Sequence, residues 1–223
     1  MVAVLVLATF VVFVLVDYYF QRRAPRQIEA VSSVERAEEA SFPINVVGGF
    51  KVPAHLSYHF GHTWAMKEAP QVVRIGLDDF AARLAGKVDA IEVPARRHWL
   101  RQGEKAWTLT RGTHRFHMLS PIEGEVIDVN MEALQNPVLI HDDPFGAGWL
   151  LEVHAPAAEG NLKNLLRGRL AQRWMEESVA ALNSKIDGHA GVHLQDGGHA
   201  VPDVLAQVPE DRWDAVLREF FLS

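Results

Sequence analysis

The sequence predicts a mainly β fold with flanking helices, an α+β arrangement, on three observations. Residues 43–155 contain many short apolar runs separated by turn residues, as in a small sandwich or barrel. Residues 156–223 carry apolar residues at three- and four-residue spacing, which is the period of an α-helix. Residues 1–21 are almost entirely apolar. We therefore expect one β domain that has helical segments before and after it in the chain.

The N-terminal segment has the composition of a transmembrane helix. Its first sixteen residues, MVAVLVLATFVVFVLV, contain no charged side chain. About 20 apolar residues cross a bilayer, so residues 1–21 predict a single span, with residues 1–20 in contact with lipid. Arginines follow this segment and none precedes it, which predicts an inner or cytoplasmic membrane protein, single-pass, with a cytoplasmic C-terminal domain. A cleaved signal peptide is the alternative, although the basic n-region and the small-residue cleavage site are missing.

A charged segment separates this apolar stretch from the β region. Residues 22–42 hold few apolar side chains and many charged ones. This composition is typical of a solvated linker, so we predict a polar stalk. A first helix packed on the domain is the alternative interpretation.

The β region, residues 43–155, contains one short predicted helix among its strands. Asp78–Gly86 begins with acidic residues and ends with glycine, which are common helix caps. Phe80 and Leu84 are four residues apart and are expected to face the core. The predicted strands are 45–52, 63–67, 72–75, 87–93, 104–110, 114–119, 125–129 and 148–153.

The C-terminal region, residues 156–223, is predicted to be a helical extension. A long helix is expected over residues 162–186, and a turn-rich break follows at 188–198. Shorter helices are expected at 201–208 and 211–222. The last of these carries an apolar stripe, which faces either the body of the protein or a partner chain.

Composition excludes several classes of protein. The net charge of −6 and the scattered basic residues argue against nucleic-acid binding. The absence of cysteine excludes disulfides, thiolate metal sites and cysteine nucleophiles. No nucleophile elbow or phosphate-binding loop is present, so no catalytic residue is predicted and the protein is not expected to be an enzyme.

Four motifs in the β region resemble glycine cleavage system H proteins. Residues 73–88 (VRIGLDDFAARLAGKV) resemble the family segment VGITDFAQxxLGDIV, and residues 119–130 (LSPIEGEVIDVN) resemble APVSGEVVEVN. Residues 136–150 (NPVLIHDDPFGAGWL) resemble SPELVNxDPYGxGWL. His62 stands at the start of the segment where the family carries His-Glu-Trp. The resemblance covers residues 43–155.

The resemblance implies a lipoyl-type barrel-sandwich hybrid that carries lipoate on a lysine at a hairpin tip. Ungapped counting back from Ser120 places that lysine position at Thr113. A threonine hydroxyl cannot form the stable amide that lipoylation requires, and no lysine lies between Trp107 and Asn130. We therefore predict no lipoylation and no cofactor.

Several histidines and acidic residues raise the question of a metal-binding site. His55, His59 and His62 are spaced four and three residues apart, whereas His114 and His117 point to opposite faces of a predicted strand. No metal site is predicted, and metal at His55, His59 and His62 is left open. Asp142-Asp143-Pro144 is interpreted as a structural turn.

The residues predicted to bind partners lie near the hairpin tip and on the last helix. Arginine and aromatic side chains are common interface anchors. The candidates are Arg111, Arg115, Phe116, His117, Trp213, Phe220 and Phe221.

Three functional hypotheses follow from these features. The first is a non-catalytic, membrane-anchored, H-protein-like subunit or adaptor, a scaffold that binds protein subunits of a membrane complex, plausibly a redox or respiratory one. The second is an atypical carrier related to glycine cleavage or lipoate transfer. The third is a regulator that competes for lipoate-dependent enzymes.

Overall fold

The computed structural model describes residues 43–186, 195–196 and 199–222. The predicted transmembrane helix (1–21) and polar stalk (22–42) lie outside these residues. So does most of the predicted break at 188–198. The β domain and the C-terminal helices are therefore the parts whose architecture follows.

The described strands are short and pair antiparallel throughout. They are β1 (Ile44–Val47), β2 (Phe50–Pro53), β3 (Ser57–His59), β4 (Thr63–Ala69), β5 (Val72–Leu77), β6 (Ala90–Glu92), β7 (Trp99–Leu100), β8 (Lys105–Arg111), β9 (His114–Leu119), β10 (Gly124–Val129), β11 (Leu151–His154), β12 (Gln195–Asp196) and β13 (His199–Ala200).

Two sheets and two small hairpins contain these strands. A six-stranded sheet has the order β3-β4-β5-β11-β10-β7, and a three-stranded sheet has the order β6-β8-β9. The pairs β1-β2 and β12-β13 form separate hairpins. In the three-stranded sheet β9 pairs only with β8 and is an edge strand.

The described helices flank these sheets. They are α1 (Asp79–Ala85), α2 (Met131–Gln135), α3 (Leu139–Asp142), α4 (Ala158–Lys163), α5 (Gly168–Ile186) and α6 (Trp213–Phe221), with 3₁₀ turns at Leu205–Gln207 and Glu210–Arg212. The predicted α1 is confirmed with its caps, because Asp78 accepts a hydrogen bond from the Ala81 N–H and Gly86 ends the helix at φ +64°.

The mainly β class with flanking helices is confirmed, and several predicted boundaries are wrong. Predicted strand 45–52 is two strands, because Gly48 and Gly49 take positive φ angles that turn the chain. Predicted helix 162–186 is divided into α4 and α5, and Gly168 at φ +52° begins the second. Apolar spacing predicted both regions without showing these interruptions.

One hydrophobic core joins the β domain to the C-terminal helices. Trp64 on β4 is fully buried, and its Nε1 donates to the Pro144 carbonyl at 3.0 Å. Trp174 of α5 lies against the Tyr58 ring at 6.3 Å. Phe221 of α6 is also fully buried. Both C-terminal helices therefore pack on the β domain, which apolar spacing alone left open.

Candidate functional site

The β8–β9 hairpin ends in the two-residue turn Gly112-Thr113. Arg111 pairs with His114 in register, so the turn is as tight as a hairpin allows. Gly112 has φ +56°, which suits glycine at the first turn position. The Gly112 N–H donates to Asp89 Oδ2 at 2.7 Å. Gly112 and Thr113 are exposed at the tip.

Arg111 attaches the base of this turn to the C-terminal segment. Its guanidinium donates to both carboxylate oxygens of Asp203 at 2.8 Å each and to the Ala85 carbonyl at 2.7 Å. The same group lies 4.4 Å from the centre of the Trp213 ring. A Cβ at position 86 would lie 2.2 Å from Asp203 Oδ1 and 2.4 Å from Arg111 Nη1, and the φ of +64° at this position favours glycine as well. We name residues 203–221 the C-terminal cap.

His114 makes a second attachment to the cap. Its Nε2 lies 3.1 Å from Glu210 Oε1, and its Nδ1 lies 3.1 Å from Asp214 Oδ1. The hydrogen bond with Asp214, followed by that with Glu210, raises the pKa of His114 above its ordinary value. The Trp213 ring lies 5.2 Å away. The hairpin is thus joined to the cap by charged groups on either side of its turn.

These contacts predict that the cap is held more firmly in mild acid. Because the pKa of His114 is raised on folding, its contribution to stability is fully present below the ordinary histidine pKa of about 6.5. The contribution is lost as pH rises through the higher folded pKa. The difference in melting temperature between wild type and His114→Gln should therefore shrink as the pH rises from about 5.5, below the ordinary histidine pKa, to about 8, above it.

His98→Gln is the control for this pH series, since His98 is exposed in the loop just before β7. Its melting difference from wild type should not follow the same pH trend. A His114→Gln difference that is constant or grows with pH would contradict the two carboxylate contacts.

The cap also closes over an apolar region of the β domain. Phe220 has its ring 5.2 Å from that of Phe80 and 6.1 Å from that of His62. Val216, Leu217 and Phe221 of the same helix are buried. The apolar stripe of the last helix is therefore occupied by the chain's own core.

A buried His62–Asp78 pair lies beneath this helix. His62 Nδ1 and Asp78 Oδ2 are 2.8 Å apart, and both side chains are at most 1% exposed. The His62 ring is stacked on Phe80 at 4.1 Å and lies 4.5 Å from Trp174. His62 holds a positive φ of 58°, an uncommon conformation that the surrounding contacts maintain.

The predicted partner-binding residues separate into three groups. Phe116, Phe220 and Phe221 are buried, whereas Arg111 and Trp213 contact each other beside the turn. Arg115 is exposed and donates to Glu92 Oε2 at 2.7 Å, and His117 Nδ1 lies 3.0 Å from Thr108 Oγ1. Among the seven candidates, Arg115 alone is exposed, whereas Arg111, His117 and Trp213 are half-buried.

The histidines at positions 55, 59 and 62 differ in how far they are buried. His62 is bound to Asp78, and His59 Nδ1 accepts the Gly61 N–H at 3.1 Å. Burial, followed by the neighbouring His62, lowers the pKa of His59. Within the described residues, no group of three or more His, Asp or Glu side chains is arranged to hold a metal ion.

In the Asp142-Asp143-Pro144 segment, Asp142 ends α3, Asp143 follows the helix, and a turn begins at Pro144. Asp143 accepts hydrogen bonds from the Gly146 N–H at 3.1 Å and the Ala147 N–H at 2.8 Å. Its carboxylate is therefore occupied by backbone donors, as the interpretation of a structural turn expects.

The residues that sequence reasoning missed are the acidic residues of the cap. Asp203 is 92 positions from Arg111, and Glu210 and Asp214 are 96 and 100 positions from His114. No short-range spacing signals such pairs, because they arise only when residues 203–221 pack beside the β8–β9 hairpin. The apolar stripe predicted a helix that packs on the domain or on a partner chain, and it did not show which charges the C-terminal cap would bring to the hairpin.

Comparison with known proteins identifies the family. The family model for the glycine cleavage H-protein matches residues 56–178, more than half of the chain. The chain belongs to the glycine cleavage H-protein family. Members of this family are lipoyl carriers that are not themselves catalytic but take part in an enzyme system.

Similar H proteins match along most of their own length. The probable glycine cleavage system H protein 2 of Sulfurisphaera tokodaii is 32% identical over 136 residues, covering 60% of this chain and 91% of that protein. The glycine cleavage system H protein of Marinobacter nauticus is 32% identical over 116 residues, covering 52% and 88%. A solved H protein from Mycobacterium marinum is 25% identical, with a TM-score of 0.48, over 60% of this chain and 99% of that one.

The H-protein match identifies the domain as lipoyl-type. The match also ends before the C-terminal cap begins. It extends past residue 155 into α5 and ends at residue 178. The residues that hold the β8–β9 hairpin lie beyond the end of this match; they are Asp203, Glu210 and Asp214. The attachment of the hairpin to the cap thus depends on residues outside the segment shared with the H-protein family model.

The predicted single-pass location in the inner or cytoplasmic membrane is wrong by these comparisons, because the relatives are glycine cleavage system H proteins. Within residues 43–186 and the described C-terminal part, no helix is both long and apolar enough to cross a bilayer. The longest, α5, has 19 residues, but Arg169, Arg173, Glu176 and Glu177 interrupt its apolar side chains. Contact of residues 1–20 with lipid stays a prediction, since these residues are outside the described part.

Proposed function

We propose that this H-protein relative is a non-catalytic subunit or adaptor that binds protein partners and is not lipoylated. The observation that carries the proposal is the exposed Gly112-Thr113 turn, where the resemblance places the acceptor position at Thr113. Lipoylation forms an amide and requires an amine. No lysine occurs between Lys105 and Lys163, so neighbouring registers offer none either.

The attachment of the hairpin to the cap supports the same proposal. A carrier must present its group on an arm that reaches several enzymes. Here the residues on either side of the turn, Arg111 and His114, are paired with Asp203, Glu210 and Asp214. Charge-assisted contacts of this kind restrain the turn. A restrained hairpin suits a fixed binding surface better than a mobile carrier arm.

Incubation with a lipoate ligase, lipoate and ATP tests the lipoate-free assignment. Intact-protein mass spectrometry should show no added lipoyl group on wild type, while an established lipoyl-carrying H protein is modified in the same reaction. The physical reason is the missing amine at the turn. Lipoyl addition mapped to any lysine of this chain, including Lys105 at the start of β8, would contradict the proposal and favour the atypical-carrier hypothesis.

The adaptor assignment has a separate test. Native gel electrophoresis of an extract from the source cells, followed by mass spectrometry of the band, should place the chain in a complex larger than the monomer with a constant set of proteins. Arg115→Glu should weaken this complex, because Arg115 is exposed beside the hairpin. Arg169→Glu, which changes an exposed arginine on α5, should not. Migration of the native chain as a monomer would contradict the adaptor function.

A regulator of lipoate-dependent enzymes is the second candidate. It is favoured by the H-protein match over residues 56–178, because a retained domain can retain the surfaces that enzymes recognise. Competition between this chain and an H protein for glycine decarboxylase or lipoate ligase would support it. Failure to compete at a large excess would remove it.

A further inference from the structure

A cleft between β9 and α6 carries mostly positive charge on an acidic protein. Its volume is about 480 Å³, and its walls include Lys105, Arg115 and His117 on one side and Leu217, Arg218 and Asp214 on the other. Three cationic side chains and one acidic side chain thus line it, with Glu92 beside it in contact with Arg115, although the whole chain has a net charge of −6. We name this the basic cleft.

The charges in the basic cleft are available to a ligand to different degrees. Asp214 already contacts His114 at 3.1 Å. Arg115 contacts Glu92, but both side chains are more than half exposed, and such pairs contribute little and exchange readily. Lys105 and Arg218 are exposed, and neither has an ion-pair partner among the described residues. Lys105 and Arg218 are therefore the cationic groups of the cleft that are most available to an incoming anion.

The arrangement of these cations has the length of a short peptide. Lys105 pairs in register with Leu119, four residues along β9 from Arg115. At about 3.3 Å per residue, the row from Arg115 past His117 to Lys105 spans about 13 Å. One phosphate or one carboxylate cannot contact both ends of such a row. An extended segment with several acidic side chains can contact them together, with Arg218 on the opposite wall.

His117 lies in the middle of this row, close enough to both cations for their charges to act on its imidazole. Burial, followed by the charges of Lys105 and Arg115, lowers its pKa, while Glu92 opposes them. A carboxylate placed near His117 would act in the opposite direction and raise that pKa.

We propose that the basic cleft binds an acidic peptide segment of a protein partner. This proposal rests on the adaptor function and specifies the chemistry of the partner. Leu217 and the buried Phe116 form the apolar floor against which the backbone of such a segment lies. Affinity comes from the cationic walls and is weakened by salt.

Isothermal titration of the full chain with a short oligoglutamate peptide tests the proposal. Wild type should bind the peptide in low salt and bind a matched oligoglutamine peptide weakly or not at all. The double variant Lys105→Ala/Arg218→Ala should lose about tenfold or more in affinity, because two of the facing charges are removed. Arg169→Ala, at an exposed arginine of α5, is the matched control and should bind as wild type does. Circular dichroism melts confirm that each variant folds.

Further measurements distinguish peptide binding from the alternatives. Binding should raise the pKa of His117 measured by NMR. Absence of peptide binding, or equal binding by the double variant and wild type, would overturn the proposal. Citrate or inorganic phosphate that binds as tightly as the peptide and displaces it would also overturn it, because the ligand would then be a small anion.

The native complex distinguishes this failure from failure of the adaptor function. If the complex forms but is unchanged by Lys105→Ala/Arg218→Ala, the adaptor function stands and the basic cleft is not its docking site. If the chain migrates as a monomer while oligoglutamate still binds at the cleft, the adaptor function fails. The preference of the cleft for an acidic peptide is then retained.

Discussion

Asp78→Ala is expected to lower the free energy of unfolding by about 3–5 kcal/mol, which is typical when one member of a buried polar pair is removed. The substitution leaves the His62 Nδ1 without its partner in a site that is 1% exposed. It also removes the side-chain cap of α1, because Asp78 accepts the Ala81 N–H at 2.8 Å. The loss of a side-chain hydrogen bond at a helix N-terminus alone costs about 1 kcal/mol.

Urea unfolding followed by far-UV circular dichroism measures this loss. Asp78→Asn should be less destabilising than Asp78→Ala, since asparagine can cap the helix and contact His62. Asp211→Ala, at an exposed aspartate, should change stability by about 0.5 kcal/mol or less. Equal effects of Asp78→Ala and Asp211→Ala would mean that the His62–Asp78 pair does not stabilise the region beneath the cap.

Phe220→Ala is expected to cost a comparable amount, about 3–5 kcal/mol, as is usual for removal of a buried phenylalanine ring. Phe220 is 6% exposed and contacts the rings of Phe80 and His62. Its removal leaves a cavity between α6 and the β domain. In a chain of this size, the melting temperature should fall by roughly 10 °C.

Phe60→Ala is the matched control, because Phe60 is 52% exposed and its ring meets Trp174 at 6.3 Å on the surface. Its effect on the melting temperature should be a small fraction of that of Phe220→Ala. A result in which Phe220→Ala leaves the melting temperature unchanged would mean that the last helix does not stabilise the β domain. The helix would then be free to serve as a partner interface, the second possibility that the apolar stripe allowed.

The parts of the fold that sequence predicted well are those with local signals. The caps of α1 were predicted because Asp78 and Gly86 are residue types with specific roles at helix ends. The β8–β9 hairpin was predicted because a tight turn at Gly112 separates two runs of strand-forming residues. The interruptions at Gly48-Gly49 and Gly168 were missed because apolar spacing continues across them.

The predicted site was only partly resolved by sequence. Arginine and aromatic residues near the hairpin were chosen as partner anchors from residue type alone. Residue type does not distinguish Arg111, which is paired with Asp203, from Arg115, which remains exposed. That difference depends on where residues 203–221 pack, and the pairing crosses 92 positions.

The sequence by itself determined the H-protein motifs, the threonine at the hairpin turn and the absence of lysine around it. These are properties of residue identity and short spacing, and folding does not alter them. The tertiary structure alone decided that the last helix covers the His62–Asp78 pair, that acidic residues of the C-terminal cap hold the hairpin, and that Arg218, Lys105 and Arg115 line one cleft. The physical reason is that burial and charge pairing between distant segments depend on how helices and sheets pack, and no local pattern in the chain encodes that packing.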